Sequence, residues 1–347
     1  MEAEAAAKAR AGAVGPIVRW LAALAGLIVL IVVVGGVTRL TESGLSITQW
    51  RPVSGIVPPL SDGEWQGEFA HYRQIDQYAA IHAGMGLDDF KRIFFWEYIH
   101  RVLARLIGLV AALGWAGFMV RRRIPAGYGL RLLAVPLLIG MQGVLGWLMV
   151  ASGLKPGVVA VAPGWLAAHL ITALAALAYV VWTALDLAVT RAGLRRLGLV
   201  VGAALALQLV YGALMAGLHA GLVTNQWPLM NGQLWPGPSH RGEGVLVALV
   251  ADPAVVHFIH RWWAWVVVAL LVVMARRLRG AGLRRISIAI HALFGIQILL
   301  GIATVMSGVG LWLAALHQLV GALLVAAVAW GAQALGRGGA GSPGAGV

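Results

Sequence analysis

Histidine is the residue type in this sequence best placed to do chemistry. Ile99-His100-Arg101 recurs as Ile259-His260-Arg261, and His169 is matched further along by His317. Each of these four histidines opens a long apolar segment, and the four segments run in the same direction. Their imidazoles therefore share one depth, two in each half of the chain. Two imidazoles on separate helices of one bundle are what is needed to hold a haem iron between axial ligands. A lone histidine in an apolar helix is more often a hydrogen-bonded packing residue. A repeated pair at equal depth is harder to explain that way, and ionisable groups inside a membrane default to function. Zinc fits less well, because two histidines per half with few carboxylates nearby do not complete its usual coordination.

Charged neighbours extend the pattern. Arg101 and Arg261 directly follow two of the candidate ligands, and Arg105 lies one turn beyond Arg101. Arginine suits haem propionates through paired hydrogen bonds; the alternatives are an ion pair with a loop carboxylate or a side chain reaching the headgroups. Glu97 takes the place of His257 in the repeat. It shares a helix face with His100 at i, i+3 and is a candidate for proton transfer beside a haem edge; a salt bridge to Arg101 is the competing reading. His71, His82, His219 and His240 fall in outer loops and are expected to be solvated. His291 is read as structural, and His257, one turn before His260, as ambiguous.

The elements that carry these residues are long apolar runs. The 347 residues are 60% hydrophobic and 11% charged, whereas a soluble domain carries roughly 25% charged residues. Continuous runs of this length mean membrane helices and exclude the alternating pattern of a barrel. Eight are expected, at 17–37, 97–120, 130–151, 164–186, 197–217, 255–275, 286–306 and 311–334. Basic residues cluster in the N-terminus and in the loops after the second, fourth and sixth helices, which the positive-inside rule makes cytoplasmic. Both termini are then inside, and segments 38–96 and 218–254 are outside. The net charge of +13 is thus a topology signal and not a nucleic-acid one. Glu2 and Glu4 argue against a cleaved signal peptide, and Gly338 to Val347 reads as a disordered tail. With no cysteine, disulfides, thiolate ligands and covalent haem attachment are excluded. In the first outer loop, Ser61 to Glu64 form a capping box. Trp65, Phe69 and Tyr72 then make an aromatic face, for the membrane surface, for covering a site or for ordinary packing.

The halves repeat without gaps from Val34–Trp50 to Tyr211–Trp227, with Gly35, Gly44, Leu45, Gln49 and Trp50 matching Gly212, Gly221, Leu222, Gln226 and Trp227. Gln142, Gly146 and Trp182 match Gln297, Gly301 and Trp330 in the same order. The expected fold is all-α, eight transmembrane helices as two pseudo-symmetric four-helix bundles, residues 1–195 and 196–347.

Gly35-Gly-Val-Thr-Arg-Leu-Thr-Glu-Ser-Gly-Leu-Ser-Ile, Pro58-Pro-Leu-Ser61, Trp96-Glu-Tyr-Ile-His-Arg101, Met141 to Gly153 and Phe258-Ile-His-Arg-Trp-Trp263 together resemble the haem A synthase family. The form resembled is the mitochondrial and alphaproteobacterial one, without cysteine pairs in the outer loops. The resemblance implies oxidation of the C8 methyl of haem O to the formyl of haem A for cytochrome oxidase biogenesis. It implies a resident haem b on His260 and His317. It places substrate haem O between His100 and His169, with Glu97 needed for turnover. It also implies haem O synthase and oxidase assembly factors as neighbours, an electron partner, contact with membrane lipid and a possible homo-oligomer, in a cell inner membrane. Two other readings stay open on the residues alone: a two-haem b-type cytochrome taking electrons from quinol, and a membrane haem chaperone or transporter.

Overall fold

The computed structural model describes residues 2–51, 54–235, 237–239 and 244–337, without the side chains of 2–11 and 13. His240 and the tail expected to be disordered lie outside the described residues. Among those residues the chain is helical, with one isolated bridge between Met230 and Gln233 in place of any sheet. Its helices are α1 (Glu2–Leu40), α2 (Asp62–Tyr72), α3 (Asp76–Ile81), α4 (Leu87–Val120), α5 (Gly129–Gly153), α6 (Pro163–Ala188), α7 (Arg196–Gly217), α8 (Val245–Ala251), α9 (Pro253–Gly280), α10 (Arg284–Met306) and α11 (Leu311–Arg337). Eight of them, α1, α4–α7 and α9–α11, are long and apolar enough to cross a membrane. All eight coincide with the expected spans, and the chain is a multi-pass membrane protein.

Helix starts follow the local chemistry. Asp252 caps α9 by accepting from the N–H groups of Ala254 (2.9 Å) and Val255 (3.1 Å), with Pro253 in the first turn. α4 begins about ten residues earlier than the apolar run suggests. Its first turn carries Asp88 and Asp89, whose charges complement the positive end of the helix dipole, so the helix continues past the apolar stretch. That extension gives α2 its partner. Ser61 and Glu64 form the expected capping box, and Phe69 and Tyr72 are buried against Phe90, Ile93 and Phe94 of α4. Of the three uses open to the aromatic face, packing within the loop region is the one seen.

α1 packs against α4 and α6, and α5 closes that ring by touching both of the same helices. α9 packs against α7 and α10, and α11 touches α10 and α7. Contacts between α6 and α7, α6 and α11, and α1 and α11 join the groups. One buried apolar cluster draws residues from all eight long helices, among them Leu24, Ile107, Leu132, Leu177, Val201, Leu271, Ile290 and Leu324. In α4, α6, α9 and α11 its buried residues begin at Ile107, Leu174, Val267 and Ala322, each a turn or more past His100, His169, His260 and His317. The histidines therefore sit where this shared core gives out, toward the face bearing the long loops. Exposed Leu30, Leu109, Leu137, Leu199 and Leu299 face outward, as lipid contact requires.

Candidate functional site

The four repeated histidines fall into two pairs. His100 on α4 and His169 on α6 are near enough to interact electrostatically, as are His260 on α9 and His317 on α11. Each imidazole lies against a glycine of a neighbouring helix. A Cβ on Gly35 would stand 2.8 Å from His100 Cε1, and one on Gly146 3.2 Å from His169 Cε1. Gly212 and Gly301 would both place it 3.1 Å from Cε1 of His260 and His317. These four glycines are repeat mates, Gly35 of Gly212 and Gly146 of Gly301, so one seat is used four times. Each ring occupies the room that a side chain would fill.

Glutamines hold three of the four rings. Gln208 Nε2 donates to the His260 carbonyl at 3.0 Å and lies 3.2 Å from its Nδ1. Gln142, with its amide nitrogen toward His169, reaches that carbonyl and Nδ1 at 3.0 Å each and accepts from Ala173 N–H. Gln297 Nε2 lies 3.3 Å from His317 Nε2. The α1 position that mates with Gln208 is Ile31, so His100 has no such partner. The buried Nδ1 atoms of His100 and His317 have no hydrogen-bond partner among the described residues, nor do the amide oxygens of Gln208 and Gln297.

Toward the loop face each half repeats a second device. Glu97 accepts from Ser46 Oγ and the Ile47 N–H at 2.7 Å each, and from Arg101 at 2.5 and 3.0 Å. Arg101 then donates to the carbonyls of Gln49 and Ile47. In the other half, His257 is bonded to the Ala220 carbonyl (2.9 Å) and to Arg261 (3.0 Å). Arg261 donates to the carbonyls of Gln226, Pro228 and Leu229 and lies 4.8 Å above the Trp227 ring. Gln49 and Gln226 are repeat mates, so each arginine ties its own long loop down beside a histidine pair. For Glu97 the salt bridge to Arg101 is the geometry found. Arg105 donates to the Arg51 carbonyl at 2.9 Å.

The remaining histidines correct one expectation. His71 and His82 are half-buried and not simply solvated, whereas His219 is exposed as expected. All three have partners: within the first outer loop His71 meets Gln49 and His82 meets the Tyr72 hydroxyl (2.5 Å), and across the two loops His219 meets Glu42 (3.0 Å). His291 bonds the Ser287 carbonyl of its own helix, as a structural residue would.

The described residues hold no group of three or more His, Cys, Asp or Glu side chains suited to a metal ion. A haem asks for less, since the porphyrin supplies four ligands and the protein one or two. Two histidine pairs, unpartnered ring nitrogens at each and glycine seats behind them fit that group.

A family model described as cytochrome oxidase assembly protein matches residues 18–329. That match runs through every long helix. The chain belongs to this family. Its curated relatives include three proteins named Heme A synthase. The one from Novosphingobium aromaticivorans is 51% identical, covering 97% of this chain and 99% of its own. Those from Erythrobacter litoralis and Sphingopyxis alaskensis are 53% and 48% identical, over 92% and 93% of this chain and 96% and 93% of their own. Within this member of the cytochrome oxidase assembly protein family, the glutamine at Gln208 and the glycine seats escaped sequence reasoning. The glycines were visible as repeat matches without a reason, and Gln208 has no mate to draw attention to it.

Proposed function

We propose that the chain makes haem A by oxidising the C8 methyl of haem O to a formyl group, for cytochrome oxidase biogenesis. The observation that carries this is similarity of about half the residues, over nearly the full length, to proteins named Heme A synthase. The bound porphyrin supplies the redox chemistry, and the protein supplies orientation and electrostatics.

On this reading the two rings of helices are pseudo-symmetric halves, 1–195 and 196–347. His260 and His317 hold a resident haem b, which is supported by the glutamine beside each ring. His100 and His169 bracket haem O. The missing glutamine at His100 suits a site whose occupant must come and go. Glu97 fixes Arg101 and the loop from Ser46 to Gln49 over that site and is the carboxylate available for proton transfer there. Arg101 and Arg261, already tied to loop carbonyls beside each histidine pair, are the cations that would also meet propionates. The membrane is a cell inner membrane, with the arginine-rich loops and both termini cytoplasmic.

Haem extraction and mass analysis of cells making haem O, with and without the chain, tests the activity. Haem A or a hydroxylated intermediate is expected only with it. Haem O left unchanged, in a protein that purifies with haem b alone, would mark a b-type cytochrome. The assignment of halves predicts that His260→Ala loses the co-purified haem and His100→Ala retains it; the reverse pattern would overturn it.

A further inference from the structure

Glu42 and His219 occupy the same place in the repeat, as do Arg39 and Ala216. Both pairs of mates touch. His219 Nε2 lies 3.0 Å from Glu42 Oε1, and Arg39 Nη2 donates to the Ala216 carbonyl at 2.5 Å. Arg39 also pairs with Glu42 at 3.0 Å. Residues related by a two-fold can meet only at its axis, so on the pseudo-symmetric reading given above these contacts mark that axis. Glu42 and His219 also share a backbone conformation, with φ of 51° and 52°. This left-handed region is disfavoured for residues with a Cβ and natural for glycine. Here it carries a carboxylate and an imidazole, whose side chains meet across the axis. Burial alone would push the Glu42 carboxyl up, but His219 and Arg39 together hold it below the ordinary value.

The helices that end at this point are α1 and α7. Two turns back along each lie Gly35 and Gly212, the seats of His100 and His260. We propose that Glu42, His219 and Arg39 form a clasp that sets α1 against α7, making them positioning residues for exchange between the two histidine pairs. This rests on the reading of two haem sites given above. Among the described residues no hydrogen bond or ion pair links the clasp to either histidine pair. It fixes the relative place of the two helices against which one imidazole of each pair is seated.

The test uses full-length protein in its membrane. Glu42→Gln and His219→Gln are each expected to cut haem A formation several-fold, while protein level and resident haem absorbance stay unchanged. The double variant should be no worse than the singles. Exchanging the two residues, Glu42→His with His219→Glu, should recover part of the activity, because the Glu–His contact is restored on a like backbone while Arg39 loses its partner at position 42. The chain has no cysteine, so Glu42→Cys with His219→Cys gives a unique pair for a short thiol cross-linker. Efficient bridging, with activity regained on bridging, is expected. Additive or absent effects of the glutamine variants, no recovery on exchange, or a cysteine pair that fails to bridge would overturn the clasp. A wild-type chain that forms no haem A would overturn the function, and the bridging yield would still decide the contact.

Discussion

The glycine seats allow a graded test of the two histidine pairs. Carbon atoms settle at about 3.5–4.0 Å. Alanine at Gly212 or Gly301 puts a methyl 3.1 Å from the ring of His260 or His317. The imidazole must retreat by a few tenths of an ångström, close to the roughly 0.5 Å tolerance of a working site. Overpacking of this kind costs about 1–3 kcal/mol, which is about 5- to 140-fold in haem affinity if the loss falls on binding. Gly202 in α7 and Gly295 in α10 have nothing within 4 Å of the same added carbon. Alanine there serves as a control and gains about 1 kcal/mol of helix propensity. Haem per protein, measured as the pyridine haemochrome after purification, should fall for Gly212→Ala and Gly301→Ala and hold for the controls. Gly35→Ala and Gly146→Ala should keep the resident haem and lose haem A production. The Gly35 change should be the worse, since its contact is the shortest at 2.8 Å. Full haem content with an unshifted absorbance band in Gly212→Ala would refute the reasoning.

Glu97→Gln keeps the size of the side chain but removes the charge that Arg101 pairs with at 2.5 Å; haem A formation should collapse while resident haem stays, and unchanged turnover would show that the charge is not needed. Asp186 is fully buried and bonded to Arg131 and Gln333. Asp186→Ala leaves Arg131 unmatched, at a cost near the lower end of about 3–5 kcal/mol because that arginine is partly exposed. A lowered melting temperature in detergent, with the haem spectrum intact below it, checks this. The Tyr72 phenol is raised above its ordinary 10.0, first by burial and then by the charge of Glu97. A raised folded value means stability that is fully present below pH 10 and lost as pH rises through the folded value. The loop between α1 and α4 should therefore resist proteolysis at neutral pH and open only in strong alkali, with tyrosinate absorbance rising in step; early ionisation of Tyr72 would contradict its burial.

Much of this was legible because a membrane simplifies the code. Unbroken apolar runs have one solution in lipid, so all eight long helices followed from composition, and the repeat placed four histidines at one depth. Less legible was whatever depended on which residues meet across helices. Asp186 gave no sequence signal, for its partners lie 55 and 147 positions away. The aromatic face of α2 was visible, but its partner was hidden until α4 proved to extend through Phe90 and Phe94. His219 is the exposed loop residue its position implies, but its contact with Glu42 was hidden because that repeat mate differs from it in type. A repeat search rewards identity, whereas a contact on the axis rewards complementarity.

On the proposed reading, that distinction bears on how two similar halves would come to do different work. Shared features build the two sites: a glycine behind each imidazole, an arginine after one histidine of each pair, and a loop tied down by that arginine. Divergent features sit around them. Gln208 holds His260 where Ile31 leaves His100 unsupported, and His257 stands where Glu97 carries a charge. A ring with fewer hydrogen bonds is freer to reorient, and a carboxylate is the simplest group with which to exchange a proton. Both differences fit the proposed assignment of exchange to the first half and retention to the second. Restoring the glutamine in α1 by Ile31→Gln should therefore tighten haem in the first half and slow product release. A chain carrying that change and turning over at the normal rate would mean that the asymmetry of function arises elsewhere.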